Sequence, residues 1–137
     1  MFQWAVDQAL RAARRAADLA IAIGTGQLNE PQRLETVDTL AYHLATQYRL
    51  KGDQRDKEEA LELASSLKPY SGRKWEIQET IVWVQVICNN AGTLEYEQGL
   101  DNLKALLGYR DIPHYWRQLQ HEKYSRLFQL NLPAPVV

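Results

Sequence analysis

The chain has 137 residues, a single cysteine and a formal net charge of -1, which suits one domain large enough to bury a core without covalent staples. The lone Cys88 excludes an internal disulfide, and the near-neutral balance lends no support to a strongly basic, free-standing nucleic-acid-binding domain. The longest apolar run, 81–88, is far too short to span a bilayer and contains Gln85.

The opening residues MFQWAVDQ lack the basic region and cleavage site of a secretory signal. A soluble, cytoplasmic chain with no membrane partner is therefore expected. Periodicity predicts a first helix over 2–23, with Val6, Leu10, Ala13, Ala17 and Ala20/Ile21 on its buried stripe. Gly24 and Gly26 end it. Asn29, Pro31 and Gln32 open a second helix, in which Leu34, Val37, Ala41, Leu44 and Tyr48 follow a seven-residue rhythm. Asp56 to Glu59 reads as a capping box for a short third helix with Ala60, Leu63, Ala64 and Leu67 inward.

The segment 74–90 is ambiguous, because IVWVQVIC is rich in strand-favouring residues. The helical spacing of Trp75, Ile77, Ile81, Val84 and Cys88, and the lack of a second strand-like run, predict a central helix buried on most sides. Thr93 caps the next helix, with Tyr96, Leu100, Leu103 and Leu107 inward and Gly108 as its stop. Asp111 to Pro113 starts the last, for which Trp116, Leu119, Leu127 and Leu130 form the expected inward stripe. The expected fold is all-α: a single compact bundle of five or six helices over 1–132, then a proline-containing tail, 133–137.

Catalytic chemistry is sparse. His114 and His121 could share a helix face, but no carboxylate pair accompanies them, so no metal site is expected. Gly24 and Gly26 follow a helix rather than a strand, which makes them a cap and not a nucleotide loop. Cys88 reads as a small buried hydrophobe. The sequence points to a non-enzyme that needs no cofactor.

The distribution of charge is more informative. Over 76–101 every charge is acidic (Glu76, Glu79, Glu95, Glu97, Asp101), whereas Lys104, Arg110, Arg117, Lys123 and Arg126 outnumber the acids over 104–126. Three basic clusters stand out. Arg11, Arg14 and Arg15 share a face of the first predicted helix; Asp7 and Asp18 can pair with two of them, leaving Arg15. Arg49 and Lys51 follow the second helix, while Arg73 and Lys74 lie at a helix start, where the dipole disfavours cations. On the last helix His114, Arg117, His121 and Ser125 align, flanked by Tyr115 and Tyr124. Basic and aromatic residues interleaved in this way suit single-stranded nucleic acid, although solvated helix faces of ordinary ion pairs explain the same pattern.

In size, helical architecture and scattered arginine clusters, the chain resembles the small subunits of multi-subunit CRISPR effector complexes. The residues carrying that resemblance are Arg11, Arg14, Arg15, Arg49, Lys51, Arg73, Lys74 and Arg117. The abrupt start MFQWAVDQALRAARRAAD also looks like the interior of a longer helical protein, as in systems where the small subunit arises by internal initiation. The resemblance implies a non-catalytic subunit that stacks in several copies, meets other subunits, and contacts DNA or RNA backbone without sequence preference. A helical protein–protein adaptor is the competing expectation, with Tyr42, Trp83 and Trp116 as anchors if exposed.

Overall fold

The computed structural model describes residues 8, 11, 30–72 and 74–135. Gln8 and Arg11 are helical; the rest of the predicted first helix, its glycine stop and the Asn29 cap lie outside the described residues. Among the described residues the fold is all-α, with five helices and no strand.

Helix α1 (Glu30–Lys51) buries Leu40, Ala41, Leu44 and Ala45, and packs Leu34, Val37 and Tyr48 against the same core. The predicted heptad rhythm is thus its inward face. Gly52 ends it at φ 74, with its N–H donating to the Tyr48 carbonyl at 2.7 Å. Glycine alone reaches that left-handed conformation without strain. The next residue, Asp53, caps α2 (Gln54–Leu67) by accepting from the Arg55 N–H at 2.9 Å. The helix therefore starts before the expected Asp56 box, and Asp56 lies in its first turn. Both acids are competent caps; Asp53 takes the role because α1 has already ended one residue earlier. Buried Ala60 and Ala64 face inward, and such small residues let helix backbones approach closely.

A 3₁₀ turn (Lys68–Tyr70) with Pro69 leads to α3 (Trp75–Ile87). The strand-like run is helical. Ile77, Val82, Trp83, Val84 and Val86 are all buried, and burial on most sides removes the polar face that would have marked the helix in sequence. Helix α4 (Leu94–Leu107) is capped by the Thr93 hydroxyl, which accepts from the Tyr96 N–H at 3.3 Å, and stops at Gly108. Helix α5 (His114–Phe128) follows the buried Ile112 and the exposed Pro113.

Paired contacts give the directions. Trp75 meets Trp116, Glu79 meets Lys123 and Tyr124, and Trp83 meets Phe128, so residue numbers rise together and α3 and α5 run parallel. Tyr42 with Lys123 and Arg49 with Leu127 place α1 in the same sense. Gln85 with Asn102 at one end, and Gln78 sharing a groove with Tyr109 at the other, place α4 antiparallel to α3.

Of the stripe expected to face inward, Trp116 and Leu130 pack partly against the core, but the two leucines between them do not. Leu119 and Leu127 are exposed (57% and 38%), whereas Arg117 and Tyr124 are buried and Trp116 and Phe128 pack partly against the core. Large rings and Lys123, rather than leucines, fill the space between α5 and α3.

Candidate functional site

A groove of about 580 Å³ opens between α1 and α5, lined by Tyr42, His43 and Thr46 on one side and Leu119, Glu122, Lys123 and Arg126 on the other. On α1 the spacing 42, 43, 46 is one helical face; on α5 the spacing 119, 123, 126 is another. Trp83 of α3 closes the bottom, stacked on Tyr42 with ring centroids 5.3 Å apart and planes 14° from parallel. Its indole N–H donates to the Thr46 hydroxyl at 3.0 Å, and that hydroxyl donates to the Tyr42 carbonyl at 3.0 Å. The polar atoms of the floor are therefore engaged.

Lys123 bridges the three helices. Its ammonium donates to Glu79 Oε1 at 2.9 Å and to the Tyr42 hydroxyl at 2.8 Å. It lies 4.4 Å from the Trp83 ring centroid and 4.9 Å from that of Tyr124. The Tyr124 hydroxyl donates to the same Glu79 oxygen at 3.1 Å. Aromatic faces and a carboxylate together make a well-compensated seat for a half-buried cation. Burial raises the hydroxyl pKa values of Tyr42 and Tyr124, and the Glu79 charge pushes both the same way, so both stay protonated and can donate. Burial lowers the pKa of His43, which favours its neutral form in the groove wall. Nearby Asp38 is raised chiefly by burial, against the hydrogen bond from Thr80.

At the C-terminal end of the groove, Arg49 donates to the Leu127 carbonyl at 3.4 Å and lies 5.1 Å from the Phe128 ring centroid. It remains exposed, as does Arg126. Among the described residues neither guanidinium has a carboxylate partner.

The expected site residues separate into distinct places. Arg11 is helical and exposed; Arg14, Arg15 and Arg73 lie outside the described residues. Arg49 and Lys51 are exposed at the end of α1. Lys74 is exposed beside Leu34, Glu35 and Asp38, and Asp38 and Arg49 stand about 16 Å apart along the helix axis. The described cations thus form separate patches, with acids around Lys74. His121 is half-buried, and its Nε2 hydrogen-bonds the Leu132 carbonyl at 3.0 Å, holding the chain after α5 against that helix.

Arg117 is corrected outright. It is 1% exposed, donating from Nε to the Ile112 carbonyl at 3.0 Å and from Nη1 to the Leu107 carbonyl at 2.9 Å. The electronegative C-terminus of α4 holds this cation, which therefore cannot meet a ligand at the surface. Trp83 is likewise buried and no exposed anchor. Conversely, Glu79 looked like one member of an acidic run, and Lys123 and Arg126 like ordinary surface cations. Glu79 and Lys123 meet each other, and Lys123 meets Tyr42, across some forty to eighty positions, which left no local signal. No protein-family model, curated protein or solved structure matches the chain.

Proposed function

We propose that the chain is a non-catalytic small subunit of a cytoplasmic nucleoprotein complex, of the CRISPR effector kind it resembles, and that it holds single-stranded nucleic-acid backbone. One observation carries this reading: Arg49 reaches the Leu127 carbonyl at the groove end lined by Leu127 and Arg126, and both arginines are exposed with no described carboxylate in ion-pair contact, although Glu122 also lines the groove. Arginine presents a planar fork that suits phosphate oxygens, and Phe128 holds one of the two forks in place. Two phosphate contacts per copy give weak binding, which several copies along one strand would multiply. Near-neutral net charge is compatible with binding of that kind.

The test is a titration of a fluorescent single-stranded oligonucleotide with the full chain and with the Arg49→Ala/Arg126→Ala variant. Affinity is expected to fall about tenfold in the variant, independent of base sequence. Equal affinity for both proteins would exclude this groove end as the contact.

A second reading, a protein–protein adaptor, is favoured by exposed Leu119 and Leu127 along the same groove. A pull-down after nuclease treatment separates the two: an adaptor keeps its partner, and loss of that partner from the Leu119→Ser/Leu127→Ser variant would identify the groove as its seat.

A further inference from the structure

We propose that a second groove, between α3 and α4, receives an unstacked base of the bound strand, an inference that rests on the strand-binding function above. This groove has a volume of about 540 Å³. Primary amides line both of its walls: Gln78 and Gln85 from α3, Gln98 and Asn102 from α4. Among the described residues no carboxylate lines it, and Lys68 is the one cation that does. Buried apolar side chains from both helices form its floor.

The geometry selects a ligand class. A primary amide carries a donor pair and an acceptor in one plane, and so can match the donor–acceptor edge of a base. Gln78 and Gln98 make no hydrogen bond to a described residue, and the Gln85–Asn102 contact is long at 3.4 Å. The amides are therefore available. At the end where α3 begins and α4 stops, Tyr109 is 56% exposed and Lys68 is exposed. An aromatic face beside an ammonium is what one nucleotide asks for: the ring stacks on the base, and the cation meets the phosphate. An extended peptide would also use the amides, but it carries no phosphate for Lys68.

The experiment compares two single-stranded hexamers with identical phosphate number, one of thymidylate and one abasic throughout. Binding is measured by fluorescence anisotropy, and the side-chain NH₂ signals of the labelled full chain are followed by NMR. The base-bearing hexamer is expected to bind about tenfold more tightly and to shift the NH₂ signals of Gln78, Gln85, Gln98 and Asn102. Tyr109→Ala, at an exposed position, should remove most of that advantage while Tyr109→Phe keeps it. Equal binding of the two hexamers overturns the base site and leaves backbone binding intact. If neither hexamer binds, both readings fall. Amide shifts produced by a neutral extended peptide and by neither hexamer would likewise overturn the base site, in favour of a peptide groove.

Discussion

Arg117 shows how a single residue can mislead when read from its type. A buried arginine with no carboxylate partner among the described residues is tolerable here because two backbone carbonyls at the α4–α5 corner accept from it, and the C-terminal end of α4 carries partial negative charge. Replacing it with alanine leaves those carbonyls unpaired and opens a void. Arg117→Ala is expected to cost about 3 kcal/mol of stability in urea unfolding. Arg49→Ala, at an exposed position, should cost under about 1 kcal/mol; equal effects at the two positions would contradict the assigned roles. The Lys123–Glu79 pair follows the same logic. Lys123→Met leaves the buried Glu79 carboxylate with the Tyr124 hydroxyl but no counter-charge and is expected to destabilise by about 2 kcal/mol. The Lys123→Met/Glu79→Gln double variant should recover part of that loss, and simple additivity of the two single changes would show that the pair is not coupled.

At the scale of helices, much was legible. Glycine and proline mark the joints, Thr93 and Gly108 bound α4, and the heptad of α1 gives its inward face. The orientation of α5 was not legible. Its rings, leucines and cations are spread around the helix, so leucines alone suggest an inward stripe that tyrosine and arginine in fact occupy. What decides the matter lies on other helices: Glu79 to receive Lys123 and Tyr124, and the end of α4 to receive Arg117. The candidate site was half visible for the same reason: Arg49 stood out as a cation, but its neighbour Arg126 comes from the far end of the described chain. Gly99 makes a separate point about packing. A Cβ there would lie 3.0 Å from Val86 Cγ2 and 3.1 Å from Gln85 Cγ. Val86 is buried and β-branched, so it yields little. Gly99→Ala gains about 1 kcal/mol of helix propensity but forces α4 away from α3 at a cost of about 1–3 kcal/mol. A net loss near 1 kcal/mol is expected from thermal unfolding, whereas a stabilised variant would mean the two helices are free to separate.

The whole molecule carries a pH signature. Burial raises Tyr42 and Tyr124 and pushes the Cys88 thiol up to about 12, while the unfolded chain releases these protons at ordinary values near 8.5–10. Above about pH 8.5 the folded chain therefore holds more protons, and stability falls as pH rises. His43 acts on the other side. With its pKa lowered by burial, the unfolded chain holds more protons below about pH 6.5, so stability also falls as pH drops through that region. Asp38, raised by burial, opposes this at still lower pH. Urea midpoints should peak between about pH 7 and 8.5, with a shallower alkaline limb in Tyr124→Phe and in Cys88→Ala. An alkaline limb unchanged in both variants would contradict this assignment.

Arg49 stands at one end of α1 and Lys74 beside the other, and their separation limits how many phosphates one copy can engage. The most direct measurement is the salt dependence of oligonucleotide binding. For contact through Arg49 and Arg126, log affinity against log salt should fall with a slope of about -1.4 per bound copy, and the slope should flatten toward zero in the Arg49→Ala/Arg126→Ala variant. Binding insensitive to salt, or a slope unchanged by the double substitution, would contradict the assignment of this groove end to nucleic-acid backbone.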